Sequence, residues 1–304
     1  MLSRQFMNWN EGMITDQTGK SVIITGSNTG IGYFMAKALA SKGAHVIMAC
    51  RNLEKAERSK LRILDEFPNS SISAKKLDLA DLSSVEVFAT NFSNENNQLD
   101  VLINNAGVMI PPKSSTKDGF ELQFGTNHLG HFALTGRLLQ ILNETKNSRI
   151  ITVSSIAHNA GRLDFNDLNG NNKKYRKWEF YSQSKIANLI FSMELSKRLK
   201  KSKSGISSLA SHPGYSATDL QRYSIFWRTL NLFVAISAKK GAESTLYAAT
   251  EENALTYPYW GPTGFIEMRG STGRAKINKR ALREGLGAQL WQVSEDLTGV
   301  KYLS

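Results

Sequence analysis

The chain has 304 residues, 41% hydrophobic and 21% charged, with 23 Gly and 6 Pro, a composition that excludes a disordered, collagenous or low-complexity protein. Its 38 Lys and Arg against 26 Asp and Glu give a net charge of +12, which by itself invites a nucleic-acid or anionic-membrane partner. The single cysteine, Cys50, excludes an intramolecular disulfide and any cysteine-rich metal centre.

The first twenty residues carry Arg4, Glu11, Asp16 and Lys20 and hold no apolar run fit for a secretory leader. No later window reaches the ~18 uninterrupted apolar residues of a membrane span. The longest greasy piece, Ile225 to Ala238, is broken by Arg228 and Asn231. A cytoplasmic protein with no transmembrane segment is expected. After an N-terminal extension over 1–18, short β-rich runs alternate with longer helical ones, as in βαβ units around a parallel sheet. The predicted strands are Ser21–Thr25, Ala44–Ala49, Ile72–Leu77, Val101–Asn104, Ile150–Ser154 and Ile206–Ser211. Most are near-continuously apolar, as strands covered on both faces should be. Between them Ile31, Phe34, Met35, Ala38 and Leu39 recur at helical spacing. So do Val85, Phe88, Ala89 and Phe92, and later Ile186, Ala187, Ile190 and Met193. The expected fold is a single α/β domain over 1–304: a Rossmann-type doubly wound parallel sheet with a dinucleotide-binding and catalytic core over 19–215 and a C-terminal substrate-binding extension over 216–304. Two stretches break the alternation. Asn159 to Glu179 reads as a polar, basic loop insertion, and Tyr215 to Ala238, with Phe226, Trp227, Leu230 and Phe233, as either a cover over a pocket or a plain surface helix.

The first strand runs into Thr25-Gly26-Ser27-Asn28-Thr29-Gly30-Ile31-Gly32 and straight into a helix. Glycines there let the backbone turn sharply and approach a pyrophosphate, while the helix N-terminus offers free N–H groups and partial positive charge. The second strand ends Met48-Ala49-Cys50-Arg51 with no acid to accept from an adenosine ribose. Arg51 can pair with a 2′-phosphate instead, so NADP(H) is expected in preference to NAD(H). Tyr181 and Lys185 stand four apart at the start of a helical stretch and project from one face. An ammonium beside a phenol is expected to lower the phenol's pKa from about 10 toward working pH, as a general acid/base requires.

Together these motifs resemble the short-chain dehydrogenase/reductase family over nearly the whole length. The matching residues are the loop Thr25 to Gly32, Asp78-Leu79, Asn104-Asn105-Ala106-Gly107, Ser154-Ser155, Tyr181-x3-Lys185 and His212-Pro213-Gly214, in family order at strand C-terminal ends. The retinol-dehydrogenase-like branch is the most similar, through Ala49 to Asn52, Asn127 to Phe132, Tyr181 to Asn188 and Leu290 to Gly299. The N-terminal membrane anchor of some vertebrate retinol dehydrogenases has no expected counterpart, which weakens transfer of substrate. The resemblance implies that Tyr181 exchanges the proton at the substrate oxygen, Lys185 holds the nicotinamide ribose, Ser155 hydrogen-bonds the substrate carbonyl and Asn127 anchors a water that relays protons to Lys185. It implies a cofactor held by Gly26, Asn28, Thr29, Gly30, Ile31 and Gly32 at the pyrophosphate and by Arg51 at the 2′-phosphate. Asp78 and Leu79 would flank adenine, Asn105, Ala106 and Gly107 its ribose, and Pro213, Gly214 and Thr218 the nicotinamide amide. The expected reaction interconverts an aldehyde or ketone and an alcohol, on a hydrophobic, retinal-like or lipid-derived substrate suited to Phe226, Trp227, Phe233 and Met109. The alternative is a non-catalytic NADP(H)-binding regulatory or scaffold protein of the same fold. Dimers or tetramers are frequent in the family, so self-association is an open expectation.

Other chemistries fit less well. His128 and His131 find no Cys or carboxylate at ligand spacing, so no metal is expected. No Gly-x-Ser-x-Gly elbow accompanies Ser155. Between Asn171 and Gly205 ten basic residues face two acidic ones, Glu179 and Glu194, so much of the positive excess is assigned to one surface beside the active site. No nucleic-acid partner is expected, and peripheral contact with an anionic membrane stays open.

Overall fold

Val, Ile and Ala fill the strand runs, and a strand presents alternate side chains to opposite faces. In β1, Ser21–Thr25, Val22 and Ile24 accordingly enter one core layer and Ile23 the other. The computed structural model describes residues 8–215 and 237–303. Within them β1 is followed by α1 (Gly30–Ser41), β2 (His45–Cys50), α2 (Leu53–Glu66), β3 (Ile72–Lys76), α3 (Leu82–Glu95) and β4 (Val101–Asn104). A short α4 (Leu122–Phe124) runs through a π-helical turn (Gly125–Leu129) into α5 (Gly130–Arg137) and then α6 (Leu139–Glu144). The chain continues with β5 (Arg149–Val153), α7 (Lys177–Lys201), β6 (Ser207–Ser211), α8 (Ala238–Thr250), β7 (Tyr259–Pro262), β8 (Thr272–Arg274) and α9 (Leu286–Thr298). All six predicted strands are present, with ends displaced by at most one residue. Asn52 and Asp81 start α2 and α3 by accepting from Lys55 N and from Ser83 N and Ser84 N, the capping expected of these residue types.

The sheet order is β3-β2-β1-β4-β5-β6-β7-β8, parallel except for the final β7–β8 pair. The order reverses beside β1, where β1 pairs with both β2 and β4, so the crevice of a doubly wound sheet opens over the C-terminal ends of those strands. Helices α1, α2 and α8 supply one core layer; α3, α5, α6, α7 and α9 supply the other. Edge strand β3 carries the exposed Lys75 and Lys76, which discourage pairing with another chain.

The segment ahead of β1 belongs to the core: Trp9 is buried, meets Tyr247 edge-on at 5.5 Å and donates from Nε1 to Glu251 at 3.1 Å. The predicted insertion after β5 divides into a 3-10 turn, Ile156–Ala160, an irregular stretch over 161–176, and the first turn of α7. Tyr175 pins it, donating to Glu121 at 2.7 Å and accepting from Gln123 Nε2 at 3.1 Å, while Lys113 Nζ reaches Gly170 O at 2.7 Å. The basic residues do not form one surface. Helix α7 has 25 residues, roughly 37 Å at ~1.5 Å per residue, so Lys173 to Lys177 and Lys197 to Lys203 stand at its opposite ends. Along the way Arg198 pairs with Glu194 at 2.9 Å and lies over Trp291, and Lys185 is buried. Among the described residues no helix is long and apolar enough to cross a membrane. The predicted cover falls, between Tyr215 and Ser237, outside the described residues, and Thr218, Phe226, Trp227, Leu230 and Phe233 with it.

Candidate active site

At the exit of β1 the chain must turn under a neighbouring strand end, and the glycines are there for contact as well as flexibility. Gly26 has φ +66°, and a Cβ on it would lie 2.8 Å from Ala106 Cβ. A Cβ on Gly32 would lie 2.6 Å from Gly26 O and 2.7 Å from Asn105 Nδ2. Gly30, at φ +58°, leads into α1, whose N-cap Thr29 makes no side-chain cap bond. The first amides of α1 are thus left for an external acceptor, which the helix end favours as an anion. Thr25 staples the loop to the next strand end: its Oγ1 accepts from Asn105 N and Ala106 N, both at 2.9 Å, and its carbonyl accepts from Asn105 Nδ2 at 2.8 Å.

These backbones line one end of a cavity of about 610 Å³. Every site residue expected from the sequence lines this cavity except Asn127, which is buried behind it, and Thr218, Phe226, Trp227 and Phe233, which lie outside the described residues. Arg51 projects from the end of β2, and Lys55, one helical turn further on, joins it at the cavity. Asp78 and Leu79 follow β3, Asn105, Ala106 and Gly107 follow β4, and Pro213 and Gly214 follow β6. Gly214 takes φ +70° and its N–H donates to His212 Nδ1 at 3.2 Å.

The other end holds Ser155, Tyr181 and Lys185. Ser155 leaves β5 as the N-cap of the 3-10 turn, and its Oγ accepts from Ala157 N at 3.2 Å. Its neighbour Ser154 is committed elsewhere, donating to Lys185 O at 2.7 Å. Lys185 Nζ donates to Val153 O at 3.3 Å and sits 5.8 Å from the centre of the Tyr181 ring. Behind them Asn127 in the π-turn accepts from Val108 N at 2.7 Å and donates to Val108 O at 3.0 Å and Ser184 Oγ at 2.9 Å. Both amide protons of its side chain are engaged, and its backbone carbonyl lies 2.9 Å from His131 Nδ1.

The electrostatics depart from the expectation that Lys185 lowers the tyrosine. Burial pushes Tyr181 up to about 12, against a hydrogen bond from Ser155 that favours the phenolate, and burial pushes Lys185 down to about 8. Desolvation of these two buried side chains penalises both charged forms, and it outweighs an ammonium nearly 6 Å away. Burial thus favours the neutral phenol of Tyr181 and holds Lys185 well below the usual ammonium range.

His128 and His131 turn into different surroundings. His128 Nε2 meets Ser294 Oγ at 2.9 Å inside a cage of Phe124, Phe132 and Phe191, whereas His131 bridges Asn127 O and Thr25 Oγ1. Sequence reasoning missed Lys55, whose signal was the Arg51-x3-Lys55 spacing on a helix start. It also missed Trp178 and Met268, which reach the cavity from separate segments and carry no local signal.

Comparison with known proteins bears on the whole chain. The family model described as short chain dehydrogenase matches residues 20–228. Human retinol dehydrogenase 12 is 41% identical over 290 residues, covering 93% of this chain and 88% of that protein. The crystal structure of an uncharacterized protein from Mycobacterium paratuberculosis, 40% identical, superposes with a TM-score of 0.82 over 97% of this chain and 99% of its own. A Pseudomonas aeruginosa RhlG complex with NADP, 20% identical, shares the fold with a TM-score of 0.64 over 80% of this chain and 94% of its own.

Proposed function

The chain belongs to the short-chain dehydrogenase family, whose members bind a nicotinamide cofactor, and from that premise we propose that it is an NADP(H)-dependent oxidoreductase interconverting a hydrophobic aldehyde or ketone and its alcohol. The observation that carries the reading is one continuous cavity, with the glycine loop, Arg51 and Lys55 at one end and Ser155, Tyr181 and Lys185 at the other. The cradle suits a dinucleotide: a Cβ would fill the space at Gly26 and Gly32, the α1 N-cap makes no side-chain bond, and the two cations Arg51 and Lys55 at that end of the cavity support the reading of a 2′-phosphate. No acid takes their place at the end of β2.

When bound, the cofactor supplies or accepts the hydride. The protein's share is proton transfer and orientation. Tyr181, a neutral phenol, donates its proton to the substrate oxygen in the reducing direction and recovers it through Lys185. Ser155 donates to the same oxygen and favours the charge that develops on it. Lys185, held against Val153 O, anchors the nicotinamide ribose. Met109, Ile110 and Ala157 form an apolar cluster with Tyr181, and Trp178 completes that wall of the cavity, which suits an apolar carbonyl better than a sugar. The likeness to retinol dehydrogenase 12 makes retinoid aldehydes the first substrates to try.

NADPH oxidation across aliphatic, aromatic and retinoid aldehydes tests the reading. Tyr181→Phe is expected to lose turnover by a factor of 100 or more while keeping NADPH affinity within about threefold, since general acid catalysis contributes about 10²–10⁴. Full turnover by that variant refutes the mechanism, and a wild-type protein that binds NADPH without reducing any aldehyde or ketone returns the scaffold alternative. Cytoplasmic location and self-association belong to the same proposal, to be checked by cell fractionation and light scattering.

A further inference from the structure

His131 is completely buried in α5, and neither of its ring nitrogens is idle. Nδ1 lies 2.9 Å from Asn127 O and Nε2 lies 2.9 Å from Thr25 Oγ1. A backbone carbonyl can only accept, so Nδ1 carries the proton and Nε2 of the neutral ring must accept. Thr25 then donates its hydroxyl proton to Nε2, in preference to Ile103 O at 3.4 Å, and keeps its oxygen for the amides of Asn105 and Ala106, each at 2.9 Å. Each proton in this chain has one acceptor, and the order of donation runs in one direction.

The two ends matter for different steps. Thr25 holds the Asn105–Ala106 turn, which forms the floor of the cofactor end of the cavity. Asn127 sits beside Lys185: a Cβ on Gly107 would lie 3.1 Å from Asn127 Oδ1 and 3.6 Å from Lys185 Nζ, and Asn127 Nδ2 donates to Ser184, the residue before Lys185. The Asn127 peptide lies in the π-turn, where the helix changes its winding. We propose that His131 is a positioning residue for the reaction: from Nδ1 it fixes the Asn127 peptide, whose side chain lies beside Lys185 and bonds Ser184, and through Nε2 it ties that peptide to the Thr25 clasp on the cofactor floor. The inference rests on the oxidoreductase reading above, because it assigns Asn127 and Lys185 to proton delivery. Burial pushes His131 down to about 4, which keeps the ring neutral and the order of donation fixed across the working pH range.

Amide side chains separate the two arms. Asn places its nitrogen near the position of Nδ1 and reaches Asn127 O; Gln places its amide near Nε2 and reaches Thr25. Expected for His131→Leu is a tenfold or greater loss of kcat with a larger solvent isotope effect, consistent with about 10²-fold for a 1 Å misplacement. His131→Asn should recover kcat to within about threefold without restoring the NADPH KM. His131→Gln should restore the KM but not kcat. Equal behaviour of Asn and Gln overturns the proposal and leaves a packing role, and this comparison decides even where the Leu variant fails to fold. A readout independent of turnover is the ring tautomer: nitrogen-resolved NMR of labelled protein should show His131 with Nδ1–H throughout pH 5.5–8.5, and an Nε2–H ring overturns the assignment. Absence of any wild-type turnover sinks the oxidoreductase reading and with it the role assigned to His131, while wild-type turnover indifferent to all three variants sinks this inference alone.

Discussion

Adding one methyl group at Gly32 separates steric contact from backbone flexibility. The new Cβ would lie 2.6 Å from Gly26 O, 2.7 Å from Asn105 Nδ2 and 2.8 Å from Ser27 Cα. Two of these atoms are backbone of the same tight loop and cannot rotate away. Forcing a methylene into packed surroundings costs about 1–3 kcal/mol, and displacing Asn105 Nδ2 from Thr25 O, now at 2.8 Å, adds about 1 kcal/mol. The sum is roughly 2–4 kcal/mol, spread between stability and the shape of the cofactor cradle. Half of it expressed in binding is about a 5–30-fold weaker nicotinamide cofactor, at ~1.4 kcal/mol per tenfold. Fluorescence titration and thermal melting of Gly32→Ala measure both. Gly119→Ala is the control, because its φ of +85° is strained for alanine while nothing lies within 4 Å of the new Cβ. It should lose about 1 kcal/mol of stability and no cofactor affinity. A Gly32→Ala protein with unchanged affinity and melting temperature would refute the close-approach account of this loop.

Two further outcomes follow from the cavity's ends. Arg51→Ala and Lys55→Ala should each weaken NADPH by about 10-fold or more and leave NADH within about twofold, since a hydrogen bond to a charged group contributes about 1.5–3 kcal/mol; equal losses for both cofactors would remove the 2′-phosphate assignment. Lys185→Met should abolish turnover yet raise the melting temperature of the cofactor-free protein at pH 7. The drop from 10.5 to about 8 means that the folded state binds the proton less tightly than the unfolded chain, a cost of roughly 3 kcal/mol at ~1.4 kcal/mol per tenfold in proton affinity. That cost is present in full below pH 8 and disappears as pH rises toward 10.5, so the stability advantage of Met should fade over the same interval. An advantage that persists unchanged to pH 10.5 would mean that burial of the charge is not its source.

Strands β1 to β6 were legible because they are runs such as Val22-Ile23-Ile24 and Val101-Leu102-Ile103, where local composition and burial agree. Strands β7 and β8 were not: four and three residues containing Gly261, Pro262 and Gly273 have no period, and they depend on Trp260 packing against Tyr247. Trp9 was missed for a similar reason, since its partner Glu251 lies 242 residues away. The residues that line the cavity were readable from strand-end motifs, but the direction of the Tyr181 shift was not. Spacing places Lys185 one turn away and says nothing of how much water the pocket excludes, and exclusion of water decided the sign. The basic run likewise read as one surface until the length of α7 divided it between two ends.

Helix α7 is buried continuously from Phe180 to Ser192, so Tyr181 and Lys185 stand on an element wedged between the sheet and α9. Such an element belongs with the most protected parts of a fold. Amide protons over that span should exchange with solvent only when the whole protein opens, and heat inactivation should follow the same single transition as loss of structure. The chemistry and the fold would then fail together, and residues 161–176 are tied to the same helix, since Gln183 Oε1 accepts from Asp164 N at 3.1 Å and Tyr175 stacks on Phe180 at 4.6 Å.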